Sequence, residues 1–342
     1  MQKLNRFIPA GAALACAITA AGAASTSAAA PAKPLPHGAK VIARIAIPPE
    51  GGGIAAGEGA VWAMSWSVSR LTRIDPAGNT VAARITVKPR KPCPPSPAPC
   101  GQVATGDGAV WVTMTTDNAV ARVDPHTNRV TARIPVGSRP QGIAVTPGAV
   151  WVSNARGPTL SRIDPRTNKV VATVRIGPRT GCCDRATVFA GGGAIWATVN
   201  EPGTIVRIDP RTNRVVATIK LSWLTSGQPC GFLAATRDAL WAAGAHCPAS
   251  TGYGTVTRID TRTNRPTRVL TGFKAPIGLA TAFGSVWVAD LDSKEVDRID
   301  PRSGVVAARL PVGGLPILLT TGFGSVWVRG DEGRVLRIKP GR

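Results

Sequence analysis

Side chains able to stack on a ligand, carry a proton or form a cross-link are concentrated in a few stretches of this 342-residue chain. Two tryptophans, the single tyrosine and one of three histidines lie there: Trp66, Trp223, Tyr253 and His246. So do six cysteines: Cys93, Cys100, Cys182, Cys183, Cys230 and Cys247. Aromatic side chains near a concave surface stack on ligands, and paired cysteines hold surface loops in place. The pattern favours ligand binding over catalysis.

Catalytic chemistry has little support in the sequence. Histidine and cysteine do not occur at metal-ligand spacing, and no Gly-x-Ser-x-Gly motif or phosphate-binding glycine loop is present. His246 has no second histidine near it, so we assign no catalytic residue, no metal ligand and no cofactor. Seven acidic residues fall on the same predicted face, without evidence that they converge: Asp117, Asp184, Glu201, Asp290, Asp292, Asp331 and Glu332.

The N-terminus has the layout of a secretory signal peptide. Lys3 and Arg6 precede an apolar stretch of small residues, and an alanine-rich cleavage site ends at Ala30. We therefore predict a signal peptide at 1–30, a linker at 31–37 and one folded domain at 38–342. A lipoprotein signal ending at Cys16 is the alternative. Either route places the domain in a periplasmic or extracellular compartment, where an even set of six cysteines favours disulfides.

The composition favours a turn-rich all-β protein. The chain contains 38 Gly and 30 Pro, and only 18% of its residues are charged, which argues against a helical bundle or coiled coil. After the N-terminal segment no apolar run is long enough to span a bilayer. Basic residues outnumber acidic ones by 41 to 19, and removal of residues 1–30 takes away two basic residues and no acid. The resulting charge of +20 predicts nonspecific association with polyanions.

A repeated pattern predicts the fold. A small-residue turn followed by tryptophan recurs every 40 to 49 residues, at Trp62, Trp111, Trp151, Trp196, Trp241, Trp287 and Trp327. Each tryptophan is followed by an Arg-Ile-Asp signature or a degenerate form of it, and most copies continue as Asp-Pro-x-Thr-Asn. Proline, aspartate and asparagine make this a tight turn in which the Asp and Asn side chains bind nearby amides. The arginine is expected to be a solvated strand residue near a carboxylate.

Each unit predicts four short strands. In the third unit they are 143–145, 149–153, 160–164 and 170–176, where apolar and polar residues alternate. Units of this length with four strands are typical of propeller blades, whose cores the tryptophans would fill. We therefore predict an all-β, seven-bladed β-propeller of four-stranded antiparallel blades at 38–342. It would be a monomer.

The ends of the chain predict how the ring closes. The seventh unit stops after its third strand, and an unassigned segment at 41–45 precedes the first unit. This segment matches 130–134 in sequence and in its distance to the next tryptophan. We expect it to supply the outer strand of the last blade, which removes a free sheet edge.

Insertions predict the working face. In each blade the second-to-third strand connection and the connection to the next blade emerge on one side, which we call the loop face; the other two turns form the turn face. All the long insertions belong to the loop face: 88–102, 177–187, 222–231 and 245–254. The predicted ligand-binding residues are Trp66, Trp223, His246 and Tyr253, with Gln141 and Ile277 at the entries to innermost strands.

The disulfide pairing is partly open. Cys93 and Cys100 flank a proline-rich loop and most simply pair with each other. Cys230 and Cys247 lie on adjacent loops of one blade and form a plausible second pair. Cys182 and Cys183 then either form a vicinal disulfide or exchange partners with that pair.

The repeat also resembles a known family. Val150–Asn154 followed by Ser161–Ala172 resembles the YVTN-type propeller repeat, and Gly-x-Gly-Ala-Val-Trp-Val is similar to the streptogramin (virginiamycin B) lyase family. That resemblance implies the propeller fold and an elimination reaction that uses a His pair and a Glu beside Mg²⁺. This chain has three histidines, and none follows a repeat tryptophan as such a pair would require.

Three functions therefore remain open. The first is an exported module that binds a ligand or protein through a disulfide-stiffened loop face. The second is a lyase or hydrolase of the streptogramin-lyase type, in which case alone Mg²⁺ would be needed. The third is binding of anionic polymers, either nucleic acid or a cell-envelope polyanion. We favour the first.

Overall fold

The computed structural model describes residues 38–49, 52–65, 69–89, 101–177, 186–199, 204–221, 228–229, 232–244, 246–247, 254–330 and 332–341. Their regular structure consists of β-strands, which form seven four-stranded antiparallel blades and one two-stranded sheet. The predicted seven-bladed β-propeller is therefore confirmed. Within these ranges no helix has the length and apolar character needed to cross a membrane.

In the first six blades the strands follow one another outward from the central channel. Blades 1 and 2 contain β2 (Ile54–Gly57), β3 (Ala60–Ser65), β4 (Arg70–Asp75), β5 (Thr80–Thr86), β6 (Val103–Gly106), β7 (Ala109–Met114), β8 (Ala119–Asp124) and β9 (Arg129–Pro135). Blades 3 and 4 contain β10 (Pro140–Thr146), β11 (Ala149–Asn154), β12 (Thr159–Asp164), β13 (Lys169–Arg175), β14 (Val188–Gly191), β15 (Ala194–Val199), β16 (Thr204–Asp209) and β17 (Arg214–Lys220).

The remaining strands complete the ring and add a small sheet. Blade 5 contains β19 (Leu233–Ala235), β20 (Ala239–Gly244), β22 (Gly254–Asp260) and β23 (Arg265–Phe273), and the small sheet pairs β18 (Gln228–Pro229) with β21 (His246–Cys247). Blade 6 contains β24 (Pro276–Ala282), β25 (Ser285–Asp290), β26 (Glu295–Ile299) and β27 (Val306–Pro311). Blade 7 contains β28 (Pro316–Gly322), β29 (Ser325–Gly330), β30 (Arg334–Lys339) and β1 (Lys40–Ala46).

The ring closes as the sequence predicts. β1 pairs antiparallel with β30, from Lys40 opposite Lys339 to Ala46 opposite Arg334. The Ile47 amide extends the pairing by donating to the Gly333 carbonyl at 2.9 Å. The first described strand therefore lies beside the last one.

The core lies in the seams between blades. All seven repeat tryptophans are fully buried. Trp151 of blade 3, for example, packs with Val188 and Ile195 of blade 4. In five blades the indole Nε1 also donates to a carbonyl of its own inner hairpin, as Trp62 does to Gly57 at 3.0 Å. Their predicted packing role is confirmed.

The signature arginines bind differently from the prediction. In six blades the guanidinium lies over the tryptophan ring of its own blade, 4.9 to 5.6 Å from the ring centroid. It also donates to the turn of the following blade, as Arg122 does to the Pro165 carbonyl at 2.8 Å and to Asn168 Oδ1 at 3.0 Å. In these six blades the arginine therefore contacts its own indole and the turn of the following blade. The carboxylate partner that the sequence predicts is not the main contact.

The aspartate and the asparagine of the outer turns make different contacts. In each Asp-x-x-x-Asn turn the aspartate accepts backbone amides two or three positions ahead, which holds the pKa of Asp75, Asp124 and their counterparts below the ordinary value. The asparagines have φ of 55 to 58°. Their side chains accept the arginine of the preceding blade. The predicted contact with nearby backbone amides is therefore confirmed for the aspartate side chain. The asparagine side chain instead connects its blade to the preceding one.

Blade 5 breaks this pattern. Asp238 replaces the glycine of the inner hairpin, and Arg258 binds its carboxylate at 2.8 Å. The turn of blade 6 has Gly304 where other blades have asparagine, with the same positive φ. Arg258 therefore pairs with a carboxylate in its own blade. The turn of blade 6 has no asparagine side chain for it to bind.

We expect removal of β1 to destabilise the ring. A chain starting at residue 48 should lose at least about 3 kcal/mol of unfolding free energy, because Ile45 and Ile47 are buried and the β30 edge becomes unpaired. Urea unfolding of chains starting at residues 31, 38 and 48 measures this. The first two should agree, and equal midpoints for all three would contradict closure by β1.

The arginine contacts predict an asymmetry between blades. Arg122→Ala should cost about 1–2 kcal/mol, because it removes both a cation–π contact and bonds to blade 3. Arg258→Ala is the matched control and should cost less than about 1 kcal/mol, since it removes an ion pair with the exposed Asp238. Equal losses in chemical denaturation would refute a role for the arginine between blades.

Candidate functional site

Side-chain hydroxyls connect blades 2, 3 and 4 at the loop face. Thr113, Ser153 and Thr198 occupy the same position, two residues after the tryptophan. Each hydroxyl accepts the amide that leads into the innermost strand of its blade, at 2.8 to 3.0 Å. Thr113 and Ser153 also donate to a carbonyl of the next blade, at 3.0 and 2.6 Å. These hydroxyls fix the inner strands of blades 2 to 4 relative to one another.

Gln141 belongs to the same hydrogen-bond network. It lies at an irregularity where β10 begins, and it is 7% exposed. Its Oε1 accepts the Ala186 amide of blade 4 at 3.0 Å, while its carbonyl accepts the Thr113 hydroxyl of blade 2. The side chain therefore connects blades at the predicted channel mouth.

Ile277 occupies the corresponding position in blade 6. It lies at a similar irregularity, between Pro276 and Gly278, and is half-buried. Its carbonyl accepts the Phe232 amide of blade 5 at 2.9 Å. Gln141 and Ile277 thus mark the entries to two innermost strands that lie three blades apart, as the sequence pattern predicts.

A buried arginine that the sequence analysis overlooked lies at the seam between blades 7 and 1. Arg329 follows Trp327 at the position that Thr113 and Ser153 occupy elsewhere, and it is fully buried. Its Nη2 donates to Ser65 Oγ at 3.0 Å and to the Pro48 carbonyl at 3.3 Å. The sequence signal was a charge where the repeat has a small residue.

The acidic residues do not converge where the structure describes them. Asp117 lies 4.0 Å from Arg133 of an outer strand. Asp290 is buried and accepts the Lys274 and Ala275 amides at 2.9 and 2.6 Å, which holds the connection into blade 6. Asp292 and Glu332 are exposed. Among the described residues no group of three or more His, Cys, Asp or Glu could hold a metal ion.

One buried carboxylate has an unusual environment. Asp297 on β26 is fully buried, and within the described residues neither carboxylate oxygen accepts a hydrogen bond. Burial raises its pKa to about 7, against the opposing effect of Arg309 at 3.8 Å; Asp290 and Glu295 add to the rise. The loss of hydration outweighs one ion pair because that pair is longer than a hydrogen bond.

The insertions meet through the small sheet. β18 and β21 pair with Gln228 opposite Cys247 and Pro229 opposite His246, so the two insertions of blade 5 contact each other on the loop face. Several predicted residues lie outside the described ranges: Trp66, Trp223, Tyr253, Cys93, Cys100, Cys182, Cys183, Cys230, Asp184, Glu201 and Asp331. Their predicted roles, and that of the His246 side chain, stay predictions.

Comparisons with known proteins identify the fold. No family model matches the sequence. No curated protein matches it either. Virginiamycin B lyase from Staphylococcus aureus aligns with a TM-score of 0.68 at 17% identity, over 88% of this chain and 99% of that one. A catalytically inactive variant of that lyase, solved with quinupristin, gives 0.67 at 16% identity over 88% and 99%. BamB from Moraxella catarrhalis gives 0.56 at 16% identity, over 84% and 82%. At these identities the likeness shows a shared fold alone.

The raised pKa of Asp297 predicts how stability depends on pH. Between about pH 4 and pH 7 the unfolded chain has lost this proton and the folded protein retains it, so stability falls as pH rises through that window. The loss between pH 5 and pH 8 should be about 2–3 kcal/mol in urea unfolding. Asp297→Asn should remove it, whereas Asp292→Asn, at an exposed site, should not. The same slope in both variants would disprove the assignment.

Proposed function

We propose that this chain is an exported binding module that holds a ligand or protein partner on its loop face. The observation that carries the proposal is the pairing of β18 with β21, which joins two insertions through a short antiparallel pair on that face. Random lengthening of loops would not produce such pairing. The Thr113, Ser153 and Thr198 hydroxyls of blades 2 to 4 position inner strands without supplying a reactive group.

The proposed contact residues are those that the repeat does not require. Trp66, Trp223 and Tyr253 would stack on the ligand, and Gln141, His246 and Ile277 would border it. We also propose that Cys93 pairs with Cys100 and Cys230 with Cys247. The second bridge rests on the contact between the two insertions, in which Cys247 lies opposite Gln228, two residues before Cys230 in the chain.

The alternatives have weaker support. A propeller of the same fold was solved with quinupristin, which keeps a depsipeptide lyase in consideration. Against it, Asp117 and Asp290 serve structural contacts, and the described residues include no group of three or more His, Cys, Asp or Glu that could hold Mg²⁺. Binding of anionic polymers rests on the net charge alone, which makes it a general property of the surface.

Site-specific photocrosslinking tests the binding proposal. A photoreactive phenylalanine analogue at Trp223 should give one discrete adduct in the native extracytoplasmic compartment, because that position lies in a loop-face insertion. The same analogue at Arg211, an exposed turn-face position, is the matched control and should not give that adduct. Equal adducts from both positions, or none from Trp223, would count against the loop face. Ring opening of quinupristin by the purified chain with Mg²⁺ would instead favour the lyase.

A further inference from the structure

Two phenylalanines on the turn face occupy positions where phenylalanine is unfavourable. The inner hairpins of five blades use a two-residue turn in which both residues have positive φ. Glycine and short polar residues accept this conformation, and Glu58 and Asp107 fill the first position in blades 1 and 2. In blades 6 and 7 that position holds Phe283 and Phe323, with φ of 55° and 51°. A bulky side chain at a residue with positive φ strains the backbone. Such strain indicates that the phenylalanine ring has a function at this position.

Both rings are exposed to solvent. Phe283 is 42% exposed and Phe323 is 41% exposed. A third exposed apolar residue, Val305, is 54% exposed in the outer turn of blade 6. Other blades place basic residues at its position: Arg129, Lys169, Arg214 and Arg265. The remaining large apolar residues that the structure shows as exposed, Ile42, Val171, Val215 and Val216, lie along outer strands. Exposure of large apolar side chains at the described turns of the turn face is thus confined to blades 6 and 7.

The two phenylalanines form one patch. Neighbouring inner hairpins lie within reach of a single side chain, because Glu58 Oε1 accepts the Gly108 amide of the next blade at 3.2 Å. Asp107 Oδ2 likewise accepts the Gly148 amide at 3.0 Å. Phe283 and Phe323 occupy the equivalent positions on adjacent blades, so their rings belong to one continuous surface at the channel mouth.

Cations outnumber carboxylates on the turn face of blades 6 and 7. Arg302, Lys339 and Lys40 are exposed on the turn face of the same two blades. On the described turn face of these two blades Asp300 is the one carboxylate, and it accepts the Arg302 and Ser303 amides. Glu58 and Asp238 lie on the inner hairpins of the flanking blades. The local excess of three cations over one carboxylate within blades 6 and 7 favours an anionic partner.

The shape of the surface favours a flat partner. A side chain added at Gly284 or Gly324, the second residue of each turn, would meet no atom within 4 Å. The phenylalanines are therefore carried on open hairpin tips. Exposed phenylalanines on hairpin tips, together with nearby Lys and Arg, fit the surface of an anionic bilayer. The rings would enter the headgroup region, and the Lys and Arg side chains would bind the lipid phosphates.

We propose that blades 6 and 7 dock the turn face on an anionic lipid surface through Phe283 and Phe323, with Lys40, Arg302 and Lys339 supplying the electrostatic attraction. Docking of this kind is peripheral and reversible. It leaves the loop face turned away from the membrane and free to bind.

Vesicle cosedimentation tests the proposal. The chain from residue 31 contains every described residue and omits the predicted leader, which could bind lipid by itself. At 0.15 M salt it should partition at least tenfold more strongly onto vesicles containing 30% phosphatidylglycerol than onto pure phosphatidylcholine. The double variant Phe283→Asn/Phe323→Asn should lose at least tenfold in partitioning. Asparagine accepts positive φ, so this variant should melt at or above the wild-type temperature, which separates lost docking from unfolding.

Controls distinguish a bilayer from other anionic partners. Val171→Asn/Val216→Asn removes two exposed apolar residues from outer strands and should change partitioning less than twofold. Soluble polyphosphate should bind the phenylalanine variant and the wild type equally, because it contacts only the cations. The proposal fails if wild type does not bind the anionic vesicles, if the phenylalanine variant binds them normally, or if polyphosphate binding depends on the phenylalanines.

Discussion

Ring closure is the constraint on which the rest of the structure depends. Each blade buries its tryptophan against the next blade, so no blade has a complete core alone. β1 supplies the outer strand of blade 7, and Val41 and Ile45 pack in the apolar clusters on the two sides of that blade. The channel, the hydroxyl contacts on one face and the hairpin tips on the other all take their geometry from this closed packing.

The blades are also joined by polar contacts at both faces. Near the outer turns, a guanidinium lies between its own indole and an asparagine of the following blade. Around the channel mouth, threonine and serine hydroxyls connect inner strands. Hydrophobic packing between two blades is not directional and tolerates small shifts of one blade along the other. These hydrogen bonds are directional, so they fix the relative position of the two blades.

Much of the fold could be predicted, because each blade repeats a local pattern. Tryptophan spacing and the turn motif predicted seven blades, and the unmatched segment at 41–45 predicted the closure. The partners of Arg122 could not be predicted, since Asn168 belongs to another blade. Arg329 and Asp297 were overlooked for another reason: each is a single departure from the repeat, and its meaning depends on burial. Phe283 shares its position with Phe323, and its meaning depends on backbone conformation. Half of the residues predicted to bind a ligand, Trp223, His246 and Tyr253, fall in insertions, where no periodicity constrains them.

The pairing of β1 with β30 also constrains the order of folding. During synthesis or export the first strand of the ring emerges first, yet its partner follows almost 300 residues later. Until then the outer edge of blade 7 does not exist, and β1 must avoid pairing with the outer strands of earlier blades. Those strands carry exposed lysine and arginine, as β1 does with Lys40 and Arg44, so charge repulsion discourages such premature partners.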